Sequence, residues 1–393
     1  MYKNFGFDIK SKSSSNDARC GVIKTPHGEI KTPAFIFCAT KGVMKGCTME
    51  NMVESGSQIV LSNTYHLEVH PGSEQIKKMG KLHKCMGWDG PILTDSGGYQ
   101  VFAMGFGSVS SEIKGNKSST WKPTLLSITE EGATFISYKD KKKKLITPEK
   151  SMEIQRNLGA DIVLVFDECT PYNVTKDYTK LSVERTHRWA LRCLKEFKQH
   201  DDGTQALYGI VQGSTYEDLR EESTKFCNEN DFFGVAVGGS LGDSKETMYK
   251  TVAMTMKMLR KDRPVHLLGI GGITDIFNGV KYGVDTFDCV HPTRIARHGC
   301  ALMRPVDNNG KEHIDLTKAK FTDDDSVIDN KCGCTTCKQG YTRMYLHYLF
   351  SVNESVGGTL VTIHNVYFMN NLMEHIRDAI ANDSLDIEEK KWI

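Results

Sequence analysis

The sequence contains eight short apolar runs, and the spacers between them are long enough for helices. Polar residues and glycines mark the ends of the runs. Continuous apolar runs of this length are typical of parallel strands buried on both faces, and the spacers suit the helices that connect such strands. Eight such units predict an α/β fold, a (β/α)8 barrel, with an open doubly wound sheet as the alternative. The runs cover residues 34–38, 58–62, 91–95, 161–167, 206–212, 233–238, 265–270 and 284–288.

The composition is that of a globular protein with room for a barrel and a smaller second unit. The chain has 393 residues, of which 39% are hydrophobic and 25% are charged. No stretch approaches the ~20 apolar residues of a membrane-spanning helix, and the first 15 residues are polar, so we expect a cytoplasmic protein without a membrane partner. The net charge is +1, so any RNA-binding surface must be a local patch.

Three regions are predicted along the chain. Residues 1–30 are expected to form a small β element that closes the barrel, and residues 31–305 to form the barrel itself. An insertion at about 103–147 contains two strand-like segments around the charged run 141–144, which predicts a β-hairpin with a charged tip. Before it, residues 105–122 are rich in Gly, Ser and Lys and predict a surface loop. Residues 306–393 would form a zinc-binding subdomain and C-terminal helices.

A cap signal supports the helices of this arrangement. Thr147, Pro148 and Glu149 stand before the apolar positions that follow, as at a typical helix start.

Polar residues and glycines follow the predicted strands and should meet at one rim, because chemistry gathers at the carboxyl ends of barrel strands. Three acids in one pocket suit glycosidic chemistry, in which one carboxylate attacks and a second handles the proton. Amides and glycine backbone beside them suit a flat heterocycle. No His-x-His follows the first strand, which disfavours a metal-dependent hydrolase, and residues 269–274 lack the spaced dinucleotide fingerprint. The strand ends carry Asn63, Asp95, Ser96, Asp167, Gln212, Gly238, Gly239, Gly269 and Asp288.

Five motifs along the chain resemble those of the tRNA-guanine transglycosylases. They are Thr-Asp-Ser-Gly-Gly-Tyr-Gln-Val-Phe at 94–102, Asn-Thr-Tyr-His-Leu at 63–67, Phe-Asp-Glu-Cys-Thr-Pro-Tyr at 166–172, Gly-Ile-Val-Gln-Gly at 209–213 and Phe-Asp-Cys-Val-His-Pro-Thr-Arg at 287–294. The match runs in order from about Lys31 to His364. The family exchanges guanine at the wobble position of tRNA anticodons for a 7-deazaguanine, on a barrel with a zinc subdomain.

The resemblance implies a role for each matching residue. Asp288 would be the nucleophile that attacks ribose C1′, Asp95 the general acid/base, and Asn63 the residue that orients Asp95. Asp167 and Gln212 would read the purine edge. The remaining implied substrate-binding residues are Ser96 and Gly239 at the purine edge, Tyr99 and Leu268 as apolar walls, and Cys169, Ser240 and Gly269.

The resemblance also implies macromolecular partners. The base must leave its stack to be attacked, so a single-stranded anticodon loop is the expected substrate. Arg294 and Arg297 are candidates for contacts with flanking nucleotides, and solvated or salt-bridged arginines are the alternative. A homodimer is expected. Tyr341, Tyr345 and Tyr348 share one helical face and could lie at its seam or in the core.

A zinc site is predicted independently of the resemblance. Cys332, Cys334 and Cys337 supply three thiolates within six residues, and such sites in a reducing compartment are closed by a fourth S or N donor. The resemblance implies His364 as this donor, with His347 as the rival. Four protein ligands leave no open position, so we predict one structural zinc ion per chain.

The context of Cys169 resembles bacterial members of the family and favours 7-aminomethyl-7-deazaguanine as the incoming base, with queuine second. The segment 238–242 is one residue shorter than is usual in the family, and loop 105–122 is longer than in typical bacterial members. The alternative function is a non-catalytic accessory subunit that binds tRNA or deazaguanine, against which the presence of both Asp95 and Asp288 argues.

Overall fold

The barrel predicted from the eight apolar runs is present and closed. The structure is a computed structural model that describes residues 2–100, 104, 124–239 and 241–393. The strands are β1 (Gly6–Lys12), β2 (Arg19–Thr25), β3 (Gly28–Thr32), β4 (Ala34–Cys38), β5 (Val60–Ser62), β6 (Ile92–Thr94), β7 (Leu125–Ile128), β8 (Ala133–Ile136), β9 (Lys143–Ile146), β10 (Ile162–Leu164), β11 (Ala206–Val211), β12 (Gly234–Val237), β13 (Val265–Leu267), β14 (Thr286–Cys289), β15 (Cys300–Leu302) and β16 (His313–Asp315). Eight of them, β4 to β6 and β10 to β14, run parallel in the order β10-β11-β12-β13-β14-β4-β5-β6, and β6 pairs with β10 to close the ring.

Helices connect the barrel strands and cover their outer surface. The helix Pro148–Leu158 begins where the sequence predicts: the Thr147 side chain accepts a hydrogen bond from the Lys150 backbone, and Gly159 ends the helix at φ 76°. The described helices span Met49–Glu54, Thr64–Val69, Ser73–Lys78, Lys81–Met86, Pro148–Leu158, Lys176–Gln199, Glu217–Glu229, Lys245–Met258, Ile273–Lys281, His291–Ala296, Thr335–Lys338, Arg343–Ser351, Ser355–Ala381 and Leu385–Glu389, with short 3-10 turns at Pro305–Asp307 and Ala319–Phe321.

The N-terminal residues form an antiparallel sheet of β1, β2 and β3, which meets the amino ends of the barrel strands. Arg19 on β2 pairs with the buried carboxylate of Asp285, which directly precedes β14. His27, in the turn after β2, lies 2.7 Å from Asp161, which directly precedes β10. Both carboxylates are completely buried, so these contacts hold the sheet against the barrel floor.

The insertion between β6 and β10 contains the predicted hairpin. β8 and β9 pair antiparallel, and β7, which the sequence pattern did not predict, adds a third strand. The charged tip is shorter than predicted, because β9 begins at Lys143. This sheet has a solvent-exposed face that accommodates lysine side chains without burying their charge. Loop 105–122 lies outside the described residues.

The C-terminal part of the chain packs against the barrel through one long helix, Ser355–Ala381. Asn365 on this helix accepts a hydrogen bond from the backbone of Leu302 and donates to the carbonyl oxygens of Pro292 and Cys300. The helix is thereby tied to the segment that follows the last barrel strand. Within the part of the chain that the structure describes, every helix is too short or too polar to cross a bilayer.

Candidate active site

Asn63 and Asp95 follow the neighbouring strands β5 and β6 and contact each other at the barrel rim. The Asn63 side-chain amide donates to Asp95 Oδ2, and the Thr64 backbone N–H donates to Oδ1 at 3.0 Å. Asn63 Oδ1 caps the next helix by accepting from the His66 backbone at 2.8 Å. Because this cap uses the amide oxygen, the NH2 group of Asn63 is held toward Asp95.

The surroundings of Asp95 suit a group that exchanges protons near neutral pH. Burial raises the pKa of Asp95 to about 7; hydrogen bonds from Thr64 and Asn63 oppose the rise, and the nearby carboxylates of Asp288 and Asp167 add to it. A pKa close to the working pH is what general acid/base catalysis requires.

Asp167, at the end of the next apolar run, is held by two side chains. Ser96 Oγ donates to its Oδ1 at 3.1 Å, and Gln212 Nε2 donates to its Oδ2 at 2.6 Å. Burial raises the pKa of Asp167 to about 6 despite these two hydrogen bonds. Gly98 is required beside it, because a Cβ there would overlap the Asp167 carboxylate. The fixed carboxylate oxygens of Asp167 and the Gln212 amide can pair with the donors and acceptors of a flat base.

Asp288 lies near the end of β14, beside Cys38 at the end of the neighbouring strand β4. Its Oδ1 accepts the Gly269 backbone N–H at 2.8 Å, and the Cys38 thiol, 3.6 Å away, donates to Oδ2. His266 Nε2 lies 3.2 Å from Oδ1. Asp288 and Asp95 stand at the carboxyl ends of strands of the same closed barrel, and the charge of Asp288 adds to the rise in the pKa of Asp95, so both carboxylates lie at one rim.

The other predicted pocket residues lie around this centre. Gly239, at φ 81°, packs against Gln212, where a Cβ would overlap the amide oxygen. Leu268 is half-buried beside Gly238, and Tyr99 is 46% exposed at the rim. Cys169, two residues after Asp167, is half-buried. Ser240 lies outside the described residues.

The predicted RNA-binding arginines lie in and directly after the short helix that follows β14. Arg294 is exposed. Arg297 is half-buried and donates to the carbonyl oxygens of Thr293 and Lys45. This contact brings the loop after β4 next to the arginines, and with it the exposed lysines Lys41 and Lys45. The sequence analysis missed both lysines, because nothing in their local pattern distinguishes them from ordinary surface charge.

Cys38 and His266 are pocket residues that the sequence analysis also missed. Cys38 is the last residue of the first apolar run, so the strand-end rule that found Asp95 and Asp288 could have found it. His266 lies inside β13 between two apolar residues, and no local signal marks it.

A second cluster lies near the C-terminus, where Cys332, Cys334, Cys337 and His364 could hold a metal ion. His364 Nδ1 lies 3.5, 3.5 and 3.6 Å from the three sulfur atoms, in chain order. His364 Nε2 is 2.9 Å from the Leu302 carbonyl oxygen, so this nitrogen carries the proton and Nδ1 presents its lone pair to the sulfurs.

The rival ligand His347 lies outside this cluster. Its ring nitrogens face the Leu316 carbonyl and the Thr322 hydroxyl instead.

Comparison with known proteins decides the family. A family model described as queuine tRNA-ribosyltransferase, abbreviated TGT, matches residues 13–393. The chain belongs to this family. It is similar to the queuine tRNA-ribosyltransferase of Roseiflexus sp. (strain RS-1), with 42% identity over 397 residues and 98% of each chain covered. Proteins of the same name from Desulforamulus reducens and Thermoanaerobacter pseudethanolicus are each 44% identical, covering 96% and 98% of this chain and 95% and 96% of their own lengths.

Membership in the queuine tRNA-ribosyltransferase family confirms the resemblance read from the five motifs. It identifies the chain as a transferase, and the closed barrel and the Cys3His cluster agree with the predicted fold class.

Proposed function

We propose that this enzyme exchanges guanine at the wobble position of a tRNA anticodon for a 7-deazaguanine, through a covalent Asp288–ribosyl intermediate. The observation that carries the proposal is that Asp288 and Asp95 stand at the carboxyl ends of two strands, β14 and β6, on the same rim of the closed barrel. Asp288 is held by the Gly269 backbone, while burial raises the pKa of Asp95 to about 7. One carboxylate is placed to attack and the other to carry a proton, as glycosidic exchange requires.

The step follows from these positions. An oxygen of the ionised Asp288 carboxylate bonds to ribose C1′ as the bond from C1′ to guanine N9 breaks, and guanine leaves with that electron pair. Protonated Asp95 gives the departing base a proton. The reverse sequence follows with the incoming base. Asp95 takes the proton from N9 of this base, N9 attacks C1′, and Asp288 leaves as a carboxylate.

The base-binding side of the pocket supports a guanine-like ligand. Asp167, fixed by Ser96 and Gln212, offers acceptors to the N–H groups of a purine edge, and Gln212 and the Gly239 backbone add further partners. Tyr99 and Leu268 would cover the ring faces, with Cys169 and Gly269 nearby, and a role for Ser240 rests on the resemblance alone.

The test uses Asp288→Asn on an anticodon stem-loop RNA. Exchange of labelled guanine should fall by at least about 1,000-fold, with RNA binding nearly unchanged, because the amide cannot form the ester. Asp201→Asn, the same change at an exposed position, should keep full activity. Retained exchange in Asp288→Asn would refute the assignment. A non-catalytic accessory subunit would instead form no covalent RNA adduct as the wild-type protein.

The incoming base that we favour is 7-aminomethyl-7-deazaguanine, with queuine second, on the family resemblance around Cys169. A guanine-release assay that compares the two bases on one stem-loop tests this choice. Faster release with queuine would reverse it.

The RNA face that supports the anticodon loop as partner comprises Lys41, Lys45, Arg294 and Arg297. Arg297 joins the two loops of this face through its hydrogen bond to the Lys45 carbonyl oxygen. The two lysines and Arg294 are exposed to solvent, where they could contact RNA phosphates. The net charge of the chain is close to zero, so this local patch rather than the overall field would attract RNA. The twelve cysteines, all among the described residues, form no disulfide, which supports the cytoplasm as the compartment.

The metal at the Cys3His cluster is proposed to be one structural zinc ion. Zinc bonded to sulfur at about 2.3 Å and to nitrogen at about 2.0 Å in a tetrahedron separates S from N by about 3.5 Å. The distances of 3.5 to 3.6 Å between His364 Nδ1 and the three sulfurs fit this geometry. The ion would join Cys332, Cys334 and Cys337 to the long C-terminal helix.

Replacing Cys334 by Ala tests the zinc site. We expect the zinc content to fall from about one ion per chain to none and the midpoint of thermal unfolding to fall with it, since the folded cluster would lose a ligand. Cys85→Ala, at an exposed cysteine outside the cluster, should keep the metal. Full zinc content in Cys334→Ala, measured by elemental mass spectrometry, would contradict the assignment of Cys334 as a zinc ligand.

A further inference from the structure

His266 is a completely buried histidine whose ring lies between Thr286 and Asp288, two residues of the neighbouring strand. Its Nδ1 is 3.0 Å from Thr286 Oγ1, and its Nε2 is 3.2 Å from Asp288 Oδ1. Nε2 has no hydrogen bond of good geometry among the described residues, although it is buried. A buried ring nitrogen without a partner is costly, and here the nearest anion is the proposed nucleophile.

The chemistry of the neighbours indicates which ring nitrogen carries the proton. Thr286 can donate its hydroxyl hydrogen to Nδ1, whereas the Asp288 carboxylate can only accept. The arrangement that satisfies both contacts places the proton on Nε2, 3.2 Å from Asp288 Oδ1. Catalytic hydrogen bonds are often long or poorly aligned before substrate binds and tighten in the complex.

We infer that His266 is a positioning residue for Asp288: together with the Gly269 backbone N–H it holds Oδ1, so that Oδ2 is the oxygen that attacks ribose C1′. The inference rests on the proposed function and names a residue and an atom that the proposal leaves open. Gly269 donates to Oδ1 at 2.8 Å, so a bond from His266 would give this oxygen two N–H donors.

The other carboxylate oxygen keeps a weaker partner. Oδ2 faces the Cys38 thiol at 3.6 Å, and burial raises the pKa of that thiol well above its ordinary value, so it stays protonated. A thiol is a weak donor, which leaves the electron pairs of Oδ2 more available than those of Oδ1.

The inferred roles of the two oxygens account for both halves of the exchange. The new bond forms between Oδ2 and C1′, the C1′–N9 bond breaks, and guanine leaves with the bonding electrons and takes its proton from Asp95. Oδ1 becomes the carbonyl oxygen of the ester. When the incoming base displaces Asp288, the two N–H donors stabilise the negative charge that returns to the carboxylate.

Three substitutions separate positioning from simple core packing. His266→Gln can place an amide N–H near the position of Nε2. His266→Asn places its amide near Nδ1, so it can bond Thr286 but cannot reach Asp288, and His266→Leu has no donor. The measurement is the rate of covalent adduct formation with a labelled anticodon stem-loop RNA on denaturing gels, over a range of RNA concentrations, with Asp288→Asn as the blank.

The expected result is a loss in the maximal rate alone. The Asn and Leu variants should form the adduct about 10- to 100-fold more slowly at saturating RNA, with half-saturation unchanged within about twofold. The Gln variant should recover most of the wild-type rate. If the Leu variant does not fold, the Asn variant decides, because it keeps a polar partner for Thr286.

The inference would be overturned by an Asn variant that reacts as fast as wild type, or by a Gln variant as slow as the Asn variant. A change confined to half-saturation would also overturn it, because holding Oδ1 affects the attack and not RNA binding. A wild-type protein that forms no adduct would overturn the proposed function itself, which keeps the two failures apart.

Discussion

Asp95 and Asp167 occupy one pocket, yet their partners suit them to different tasks. Burial raises the pKa of both, to about 7 and about 6 respectively. Both oxygens of Asp167 accept hydrogen bonds from side chains, Ser96 and Gln212, which fix its orientation for binding. Asp95 is held by Asn63 and a backbone N–H at the pocket wall and has the pKa that proton transfer at neutral pH requires.

The raised pKa of Asp95 predicts a trade between stability and activity. An acid whose pKa is higher in the folded protein than in the unfolded chain loses its stabilising contribution as the pH rises through the folded value. Between about pH 4 and pH 7 the wild type should therefore lose stability relative to Asp95→Asn, by about 1–2 kcal/mol after allowance for its partial exposure. The same substitution should abolish exchange.

Thermal unfolding of both proteins at pH 5, 6, 7 and 8 checks this prediction. The midpoint of Asp95→Asn relative to wild type should rise with pH and level off above about pH 7. A difference independent of pH would mean that Asp95 ionises normally. Asp201→Asn, at an exposed aspartate, serves as the control and should show no such trend.

At the scale of single residues, the strand-end rule predicted much of this site. Asn63, Asp95 and Gln212 follow barrel strands, Asp288 lies near the end of β14, and the structure brings these residues to one rim. The rule could not find His266, because it lies within a strand, and whether an inward-facing residue meets a catalytic group depends on the register of neighbouring strands. That register follows from closure of the whole barrel rather than from local pattern.

At the scale of elements, a clasp between three parts of the chain holds the N-terminal sheet to the barrel floor. The buried carboxylate of Asp161 accepts from His27 at 2.7 Å, from the Ile92 backbone at 2.9 Å, and faces His83 at 3.3 Å. Burial alone would raise the pKa of Asp161, but hydrogen bonds from His83, His27 and Ile92 outweigh burial and hold the pKa below its ordinary value.

The two histidines of this clasp are stacked, with ring centroids 3.7 Å apart and planes 18° from parallel. The lone pairs of stacked rings run side by side and do not converge on one point. A hydrogen-bonded clasp, rather than a metal ion bound by both rings, is the arrangement that this geometry favours.

Removing the charge of Asp161 should weaken the contact between the N-terminal sheet and the barrel. Asp161→Asn places an amide N–H beside N–H donors, and we expect the free energy of unfolding to fall by about 2–4 kcal/mol at neutral pH. The depressed pKa means that the wild-type advantage is present above about pH 4 and is lost as the pH falls further. Urea unfolding at pH 7 measures the effect, with the exposed Asp89→Asn as control. Equal stability of Asp161→Asn and wild type would contradict the clasp.

Elements were predicted best where burial on both faces left a continuous apolar signal. All eight barrel strands were found in this way, and the cap at Thr147 located a helix start. β7 was missed because its four residues are half-buried or exposed and carry little apolar pattern. Lys143 was assigned to the tip because sequence alone does not reveal which strand faces are open to solvent.

At the scale of the whole molecule, an exposed aromatic patch is a candidate surface for the homodimer that the family resemblance implies. Tyr345 and Tyr348, on the helix Arg343–Ser351, are 42% and 55% exposed. The rings of Tyr341, Tyr345 and Tyr348 stack in a row, with successive centroids 6.0 and 6.5 Å apart. Of the two sequence-based alternatives, core or seam, the exposure of this tyrosine row favours the seam. Exposed apolar and aromatic patches mark interaction surfaces, so we propose it as the centre of a homodimer interface.

Placing a charge in the tyrosine row should separate the subunits. In Tyr345→Glu two copies would bring carboxylates into the apolar centre of the interface without a partner, which weakens association by about 2–5 kcal/mol, or roughly 30- to 5,000-fold in the dissociation constant. Sedimentation velocity should show a dimer for wild type and a monomer for the variant at micromolar concentration.

Leu181→Glu, the control, puts the same charge at a residue that is 52% exposed on another helix and should remain dimeric. A monomeric Tyr345→Glu that keeps its zinc would show that the interface was lost without unfolding the C-terminal subdomain. A variant that still sediments as a dimer, or a wild type that is already monomeric, would place the contact surface elsewhere or exclude it.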